Sequence, residues 1–390
     1  MSKVRVAHVI TRLCKGGAQE NTVHTVRLAN RQRFAPDLIS GPTSGLEGSI
    51  EPLAENAGIP IHREPFLVRQ PAPVRDMVAL RRLERRFRRE RYDIVHTHTS
   101  KAGFLGRLAA ARAGVPIIVH TPHGNIFHGY FPAWKTRLFI WMERHAARRT
   151  HRIIELTAGG IEAHLAEGIG RREQYTTVFS GIDTGPFETA AANRAAIRAR
   201  LGYGPEDFVV GGVGRLEHVK GFDYFVEAAQ RAAAAVPEAR FLVAGDGAEA
   251  APLKAAAAPL GERIRFLGLR EDVPELMAAM DVLVVPSRNE GMGRVVLEAG
   301  AAGIPVVAFR AGGIPDVLDD NETGLLAPPG DAGALAGAVV ALAGSPERRR
   351  LMGATARAKV VPHYRLEIMV QRIESLYEEL LDERTAHARR

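Results

Sequence analysis

Cysteine is nearly absent: the chain of 390 residues holds one, Cys14. No disulfide can form within the chain, and a reducing compartment such as the cytoplasm fits that usage. Long apolar runs are missing too. Nowhere do about 18 apolar residues follow one another, so no membrane-spanning helix is expected. The nearest stretch, 332–344, is short and mostly alanine and glycine, and reads as a packed helix. The opening residues Met1-Ser2-Lys3-Val4-Arg5-Val6 hold no apolar signal core and lead directly into a strand. Three motifs are also lacking. No Asp-x-Asp pair is there to hold a divalent metal, and no HExxH arrangement occurs. The glycines near 211–214 do not complete G-x-G-x-x-G, because Glu217 stands where the last glycine belongs.

What is present is ordinary for a globular protein, with 46% hydrophobic and 25% charged residues, which excludes general disorder. The length suits two domains of about 150–200 residues each. The net charge of +8 is unevenly spread. Residues 1–195 carry 29 Lys/Arg against 17 Asp/Glu, a net of +12, and residues 196–390 carry 23 against 27, a net of −4. A basic first half points to an acidic partner. Its densest stretch, 81–91, has Leu83 and Phe87 four apart, the buried stripe of a helix. Its arginines read either as a solvated face or as a surface for an anionic membrane. No nucleic-acid motif or aromatic-interleaved patch accompanies them, so nucleic acid is not expected.

Short β-branched runs alternate with amphipathic stretches throughout. Strands are expected at 4–10, 36–40, 93–96, 117–121, 152–156 and 175–178, with a helix at 18–30 after Gly16-Gly17. The turn-rich segment 180–187 reads as a linker, after which a helix at 193–201 and strands at 208–212, 240–244, 264–267, 282–286 and 306–309 follow. This βα alternation predicts an α/β fold of two doubly wound, Rossmann-like domains facing each other across a cleft, 1–184 and 185–363. The apolar spacing of Leu366, Met369, Ile373, Leu376 and Leu380 marks a last amphipathic helix, about 364–390, which either ends the second domain or packs back on the first.

The most informative stretch is Pro286-Ser287-Arg288-Asn289-Glu290-Gly291-Met292-Gly293-Arg294-Val295-Val296-Leu297-Glu298. A buried strand enters a glycine-rich turn, and a helix starts near Gly293. Glycine lets backbone approach a ligand, and a helix N-terminus favours a phosphate. Glu290 and Glu298 can accept from sugar hydroxyls, although Arg294 and Glu298 could equally form an i,i+4 salt bridge. Arg215 and Lys220 sit on the exit loop of the strand at 208–212, placed for a diphosphate. The histidines His96, His98, His120, His123 and His128 have no thiolate nearby, so no metal is expected and strand-end packing or acceptor contact is favoured.

These residues, with Gly303-Ile304-Pro305, Gly312-Gly313-Ile314-Pro315-Asp316, Asn321-Glu322-Thr323-Gly324, Gly16-Gly17-Ala18-Gln19-Glu20, His96-Thr97-His98 and His120-Thr121-Pro122-His123-Gly124, fall in one order along nearly the whole chain. In that order they resemble a family 4 retaining glycosyltransferase of the GT-B fold. The Glu-x7-Glu motif is Glu290 to Glu298. The resemblance implies that Glu290 contacts the donor hexose and Glu298 the nucleotide ribose. It implies further that the backbone of Met292, Gly293, Arg294 and Val295, with Arg215 and Lys220, holds the diphosphate. Gly16 and Gly17 would close over the phosphates, His123 would lie beside the transferred sugar, and the backbone near Arg270 would read the base. His98, Ser100, Lys101 and Asn125 are expected at the acceptor. The implied reaction transfers a hexose or N-acetylhexosamine from a nucleotide-diphosphate sugar, UDP rather than GDP, to a lipid-linked or polysaccharide precursor of the cell envelope. The nucleotide-sugar is a substrate; no cofactor is expected. A sugar-nucleotide epimerase, a phosphorylase or a non-catalytic sugar-nucleotide binder remain the alternatives.

Overall fold

Parallel strands buried on both faces need near-continuous apolar runs; such runs lie at the centre of two parallel sheets, which together hold thirteen strands among the described residues. The computed structural model describes residues 3–43, 48–124 and 132–388. Contacts divide the chain into one unit of 1–181 with 366–390 and a second of 182–365.

The first unit holds β1 (Val4–Ile10), β2 (Phe34–Ser40), β3 (Ile61–Arg63), β4 (Ile94–His98), β5 (Ile117–Thr121), β6 (Arg152–Glu155) and β7 (Tyr175–Thr177). They form one sheet in the order β3-β2-β1-β4-β5-β6-β7, and every pairing is parallel. Strand order reverses between β1 and β4. At such a switch point the loops from the carboxyl ends of the two strands diverge and leave room for a ligand. The register there sets His8 opposite His96.

The second unit repeats the plan with β8 (Phe208–Val213), β9 (Ala239–Ala244), β10 (Ile264–Phe266), β11 (Val282–Val285), β12 (Val306–Phe309) and β13 (Gly324–Ala327). Its order is β10-β9-β8-β11-β12-β13, with the reversal between β8 and β11. The helix Ala332–Ala343 buries Leu335, Ala336, Val339 and Leu342 on this sheet, as its alanine-rich composition suggests.

The segment expected as a linker is less open than its turn residues suggest. Ser180, Ile182 and Thr184 are buried, and a helix, Gly185–Ala192, starts within it. Pro186 in its first turn is compatible with that start, because no intrahelical donor is lost there. The last helix, Leu366–Ala388, belongs to the first unit. It packs Met369, Val370, Ile373, Leu376 and Tyr377 against Val4, Val6, Ile94, Ile117 and Val119. β3 and β13 were not expected. β3 is three residues of an edge strand, and β13 begins on Gly324, where any Cβ would lie 2.1 Å from the Val306 carbonyl oxygen. Among the described residues, no helix is long and apolar enough to cross a membrane.

Candidate active site

At the second unit's switch point, the loops leaving β8 and β11 are pressed together. Gly221 has φ +65°, and a Cβ there would lie 2.0 Å from the Pro286 carbonyl oxygen, so only glycine fits. Arg288 fastens the loops: its backbone N donates to the Val219 carbonyl at 2.9 Å, and its guanidinium bonds the His218 carbonyl and both oxygens of Asp223 at 2.6–2.8 Å. The same guanidinium lies over the Tyr224 ring, 4.4 Å from its centroid.

That arrangement delivers Lys220 to Glu290. The lysine Nζ donates to Glu290 Oε1 at 2.6 Å, and Ser287 Oγ donates to the same oxygen at 2.8 Å. The Glu290 carboxylate is 11% exposed, so the pair is shielded but reachable. A third loop, after β12, holds the Glu290 backbone: Gly313 N donates to its carbonyl at 3.0 Å, and Gly312, at φ +53°, passes so close that a Cβ would sit 2.0 Å from that oxygen. Gly293, at φ +80°, then turns the chain into the helix Arg294–Ala301. Val296 N donates to the Gly293 carbonyl at 2.8 Å as the helix begins, and the positive end of the helix dipole there favours an anion. Met292 is buried beneath this turn.

Glu298 lies one turn into that helix, partly exposed, with Arg294 at 3.9 Å, a loose ion pair. Arg215 extends from the β8 loop, half exposed, and pairs with Glu217 at 2.9 Å. Arg270 lies on the loop after β10 and forms a two-pronged pair with Asp272 at 2.5 and 2.7 Å, which raises the arginine pKa and lowers that of the aspartate. Lys220, Glu290, Met292, Gly293, Arg294, Val295 and Glu298 therefore share one switch point, whereas Arg270 stands two strands away from β8.

The first unit's switch point carries a chain of imidazoles. His8 Nδ1 faces His98 Nε2 at 3.1 Å, and His98 Nδ1 faces His123 Nε2 at 3.0 Å. The rings are nearly parallel, at 16° and 28°. His96, beside them, bonds the Tyr377 hydroxyl at 2.6 Å and Thr121 Oγ1 at 2.8 Å. Burial lowers the His8 pKa to about 3, with nearby Arg31 adding to the effect, and it holds His96, His98 and His120 well below the usual histidine range. These rings are neutral at pH 7. The contact between neutral His8 and His98 needs one donor and one acceptor, so the tautomer of His98 fixes whether its Nδ1 donates to or accepts from His123 Nε2. His123 itself has φ +64°, an uncommon conformation for a non-glycine residue that costs about 1–3 kcal/mol and occurs most often at functional sites.

His8, His96 and His98 bring ring nitrogens within 4.8 Å of one another. Both His96 nitrogens are already bonded, and an ion there would displace the His8–His98 hydrogen bond. The donor set fits an internal hydrogen-bond network better than a metal centre.

Residues 6–181 match the model of the glycosyl transferase 4-like domain, and 207–345 match glycosyl transferases group 1. The chain is 31% identical to the UDP-Gal:alpha-D-GlcNAc-diphosphoundecaprenol alpha-1,3-galactosyltransferase of Escherichia coli, covering 96% of this chain and 97% of that one. The chain belongs to the group 1, family 4 glycosyltransferases. In fold, this glycosyltransferase is similar to Anabaena HepE in complex with UDP and glucose, with a TM-score of 0.82, 24% identity and coverage of 96% and 99%. It is similar also to WaaG, a glycosyltransferase involved in lipopolysaccharide biosynthesis, with a TM-score of 0.74, 18% identity and coverage of 95% and 99%. The two doubly wound domains of the GT-B fold are thus present.

Other expected residues of the glycosyltransferase divide unevenly. Gly16 and Gly17 open the helix Gly17–Leu28 after β1, and Ser100 is exposed at the start of the helix Ser100–Ala113. One acceptor expectation needs correcting. His98 is buried with both ring nitrogens turned to His8 and His123, so it supports His123 and does not present itself to an acceptor. Lys101 Nζ lies 2.6 Å from Asp76 Oδ1, an ion pair as close as that of Lys220 with Glu290, and also bonds the Gln70 carbonyl. Asn125 and His128 lie outside the described residues.

Sequence reasoning missed His8, Ser287 and the Gly312-Gly313 contact to Glu290. A lone histidine in the apolar run VRVAHVI was a signal for His8, but its meaning depends on the register with His96.

Proposed function

We propose that the enzyme is a retaining, metal-independent glycosyltransferase that moves a hexose or N-acetylhexosamine from a UDP-sugar to a lipid-linked or polysaccharide-precursor acceptor of the cell envelope. It would act on the cytoplasmic side, at an anionic membrane surface. The observation that carries this reading is the Lys220–Glu290–Ser287 cluster beside the N-terminus of the helix Arg294–Ala301. A cation and a helix dipole there match a diphosphate, and an adjacent carboxylate matches sugar hydroxyls.

In this reading, Lys220 and Arg215 neutralise the diphosphate with the backbone of Met292, Gly293, Arg294 and Val295. Glu290 orients the hexose, Glu298 takes the ribose, and the backbone near Arg270 takes the base. Gly16 and Gly17 take the donor phosphates and His123 the transferred sugar, as the family pattern implies. The bond between the anomeric carbon and the phosphate oxygen breaks, and charge grows on the departing diphosphate. Lys220, Arg215 and the helix amides stabilise that charge where it develops. The acceptor oxygen bonds the anomeric carbon on the same face, and its proton passes to the departing phosphate oxygen. The printed activity of the Escherichia coli relative supports both a UDP-sugar donor and a lipid-diphosphate acceptor.

The test is transfer from radiolabelled UDP-galactose, UDP-glucose and UDP-N-acetylhexosamines to lipid-linked acceptors, with and without EDTA. Transfer that survives EDTA and gives the donor's anomeric configuration is expected. Normal turnover and donor binding in both Lys220→Ala and Glu298→Ala would sink the site assignment.

A further inference from the structure

The chain has only two tryptophans, and both lie exposed on one helix, Ala133–Ala147. Trp134 is 68% exposed, Leu138 47% and Trp141 60%. Spacings of four and three place them in a single stripe along the helix. The opposite side is conventional, with Ile140, Ala146 and Ala147 buried. Cations flank the stripe: Arg137 and Arg144 are exposed on the helix and Arg148 directly after it. The helix has one carboxylate, Glu143, and it is turned inward, 2.6 Å from the guanidinium of the fully buried Arg107. The outward face thus carries aromatics and cations and no acid.

The arginine-rich helix Pro73–Glu90 is built differently. Leu80, Leu83 and Phe87 face inward, and Arg82, Arg88 and Arg89 are paired with Glu64, Glu84 and Glu90. Its exposed apolar residues, Val74 and Met77, stand in its first two turns, and it exposes no aromatic and no apolar side chain beside the arginines of 81–90.

We propose that the outward face of the helix Ala133–Ala147 docks the enzyme on an anionic lipid bilayer. Trp134, Leu138 and Trp141 would enter the boundary between headgroups and acyl chains, with Arg137, Arg144 and Arg148 on lipid phosphates. A helix lying in the interface needs an apolar stripe beside cations, and tryptophan prefers that depth. A second copy of the chain is a poorer occupant, because a two-fold contact would set this arginine-flanked patch against itself. This inference deepens the lipid-linked acceptor reading, and vesicles without acceptor test it separately.

Tryptophan emission reports on this helix alone. With phosphatidylglycerol-containing vesicles the emission should shift to the blue and be quenched by brominated acyl chains, and the protein should sediment with the lipid. Trp134→Ala and Trp141→Ala should each weaken partitioning by about tenfold or more. Arg137→Glu and Arg148→Glu should each weaken it by about fivefold at low salt, and less at high salt. Both tryptophan variants should keep full transfer to a short-chain, water-soluble acceptor. An unshifted emission with phosphatidylglycerol vesicles would overturn the proposal, as would equal binding to phosphatidylcholine alone. A blue shift that grows with protein concentration in the absence of lipid would assign the face to a second copy instead. Vesicle binding without transfer to any lipid-linked acceptor would overturn the acceptor reading and leave the docking surface standing.

Discussion

In the proposed reaction Lys220 is aimed by Glu290 before the donor diphosphate arrives. The lysine is held at 2.6 Å by a carboxylate that Ser287 Oγ also fixes, while the Gly313 amide holds the backbone carbonyl of the same glutamate. Removing the cation should cost charge stabilisation at the departing diphosphate, so Lys220→Ala should lower kcat by about 100-fold or more. Single-turnover rates and donor calorimetry would check this. His98 has a subtler task. Both of its nitrogens serve neighbouring imidazoles, so its replacement should be felt at His123. His98→Phe should mix the His123 tautomers and lower kcat by roughly 10- to 100-fold, the range typical when a group that orients an active side chain is lost. Nitrogen-15 chemical shifts of the His123 ring read the tautomer directly. His98→Gln, which keeps one donor and one acceptor, should restore part of both effects, whereas an unchanged His123 spectrum in His98→Phe would refute the arrangement.

At the scale of elements, the helix Leu366–Ala388 is the one whose place matters most. It lies last in sequence yet covers the sheet that begins at Val4. Leu376→Ala should destabilise the first unit by about 2–5 kcal/mol, as deletions of large buried apolar groups do, and urea unfolding would measure it. Its apolar period was legible in the sequence; its destination was not, because periodicity defines a face without naming what covers it. The same limit explains the rest. Eleven strands were read from the sequence, while β3, with one β-branched residue in Ile61-His62-Arg63, and β13, with none in Gly324-Leu325-Leu326-Ala327, gave no such signal. The turn from Pro286 to Gly293 was legible because glycines, carboxylates and a helix start are local signals. The His8–His98–His123 row was hidden because it is made by parallel register across β1 and β4 and by the turn after β5. The acceptor expectation for His98 failed for a related reason: sequence shows a polar side chain, not the partners already facing both of its ring nitrogens.

The whole molecule joins a basic first half to a mildly acidic second half, and its first unit carries a concealed acid sensitivity. His8, His96, His98 and His120 stay neutral when folded, at pKa values far below the ordinary histidine range, because burial disfavours their charged forms. Once unfolded, each should titrate near about 6.5. Between those limits the unfolded chain binds more protons, so stability is full above about pH 7 and falls as the pH drops. The buried carboxyls Glu155 and Glu374 are shifted upward and offset part of this loss. With four imidazoles, the steepest dependence should approach about 5 kcal/mol per pH unit near pH 5, before that offset. Urea midpoints of the first unit at pH 7.5, 6 and 5 would test it, monitored by exchange of amides on β1 and β4. A midpoint that does not move over this range would mean that the four rings already carry protons in the folded state, and the His8–His98 contact could not then join two neutral rings as donor and acceptor.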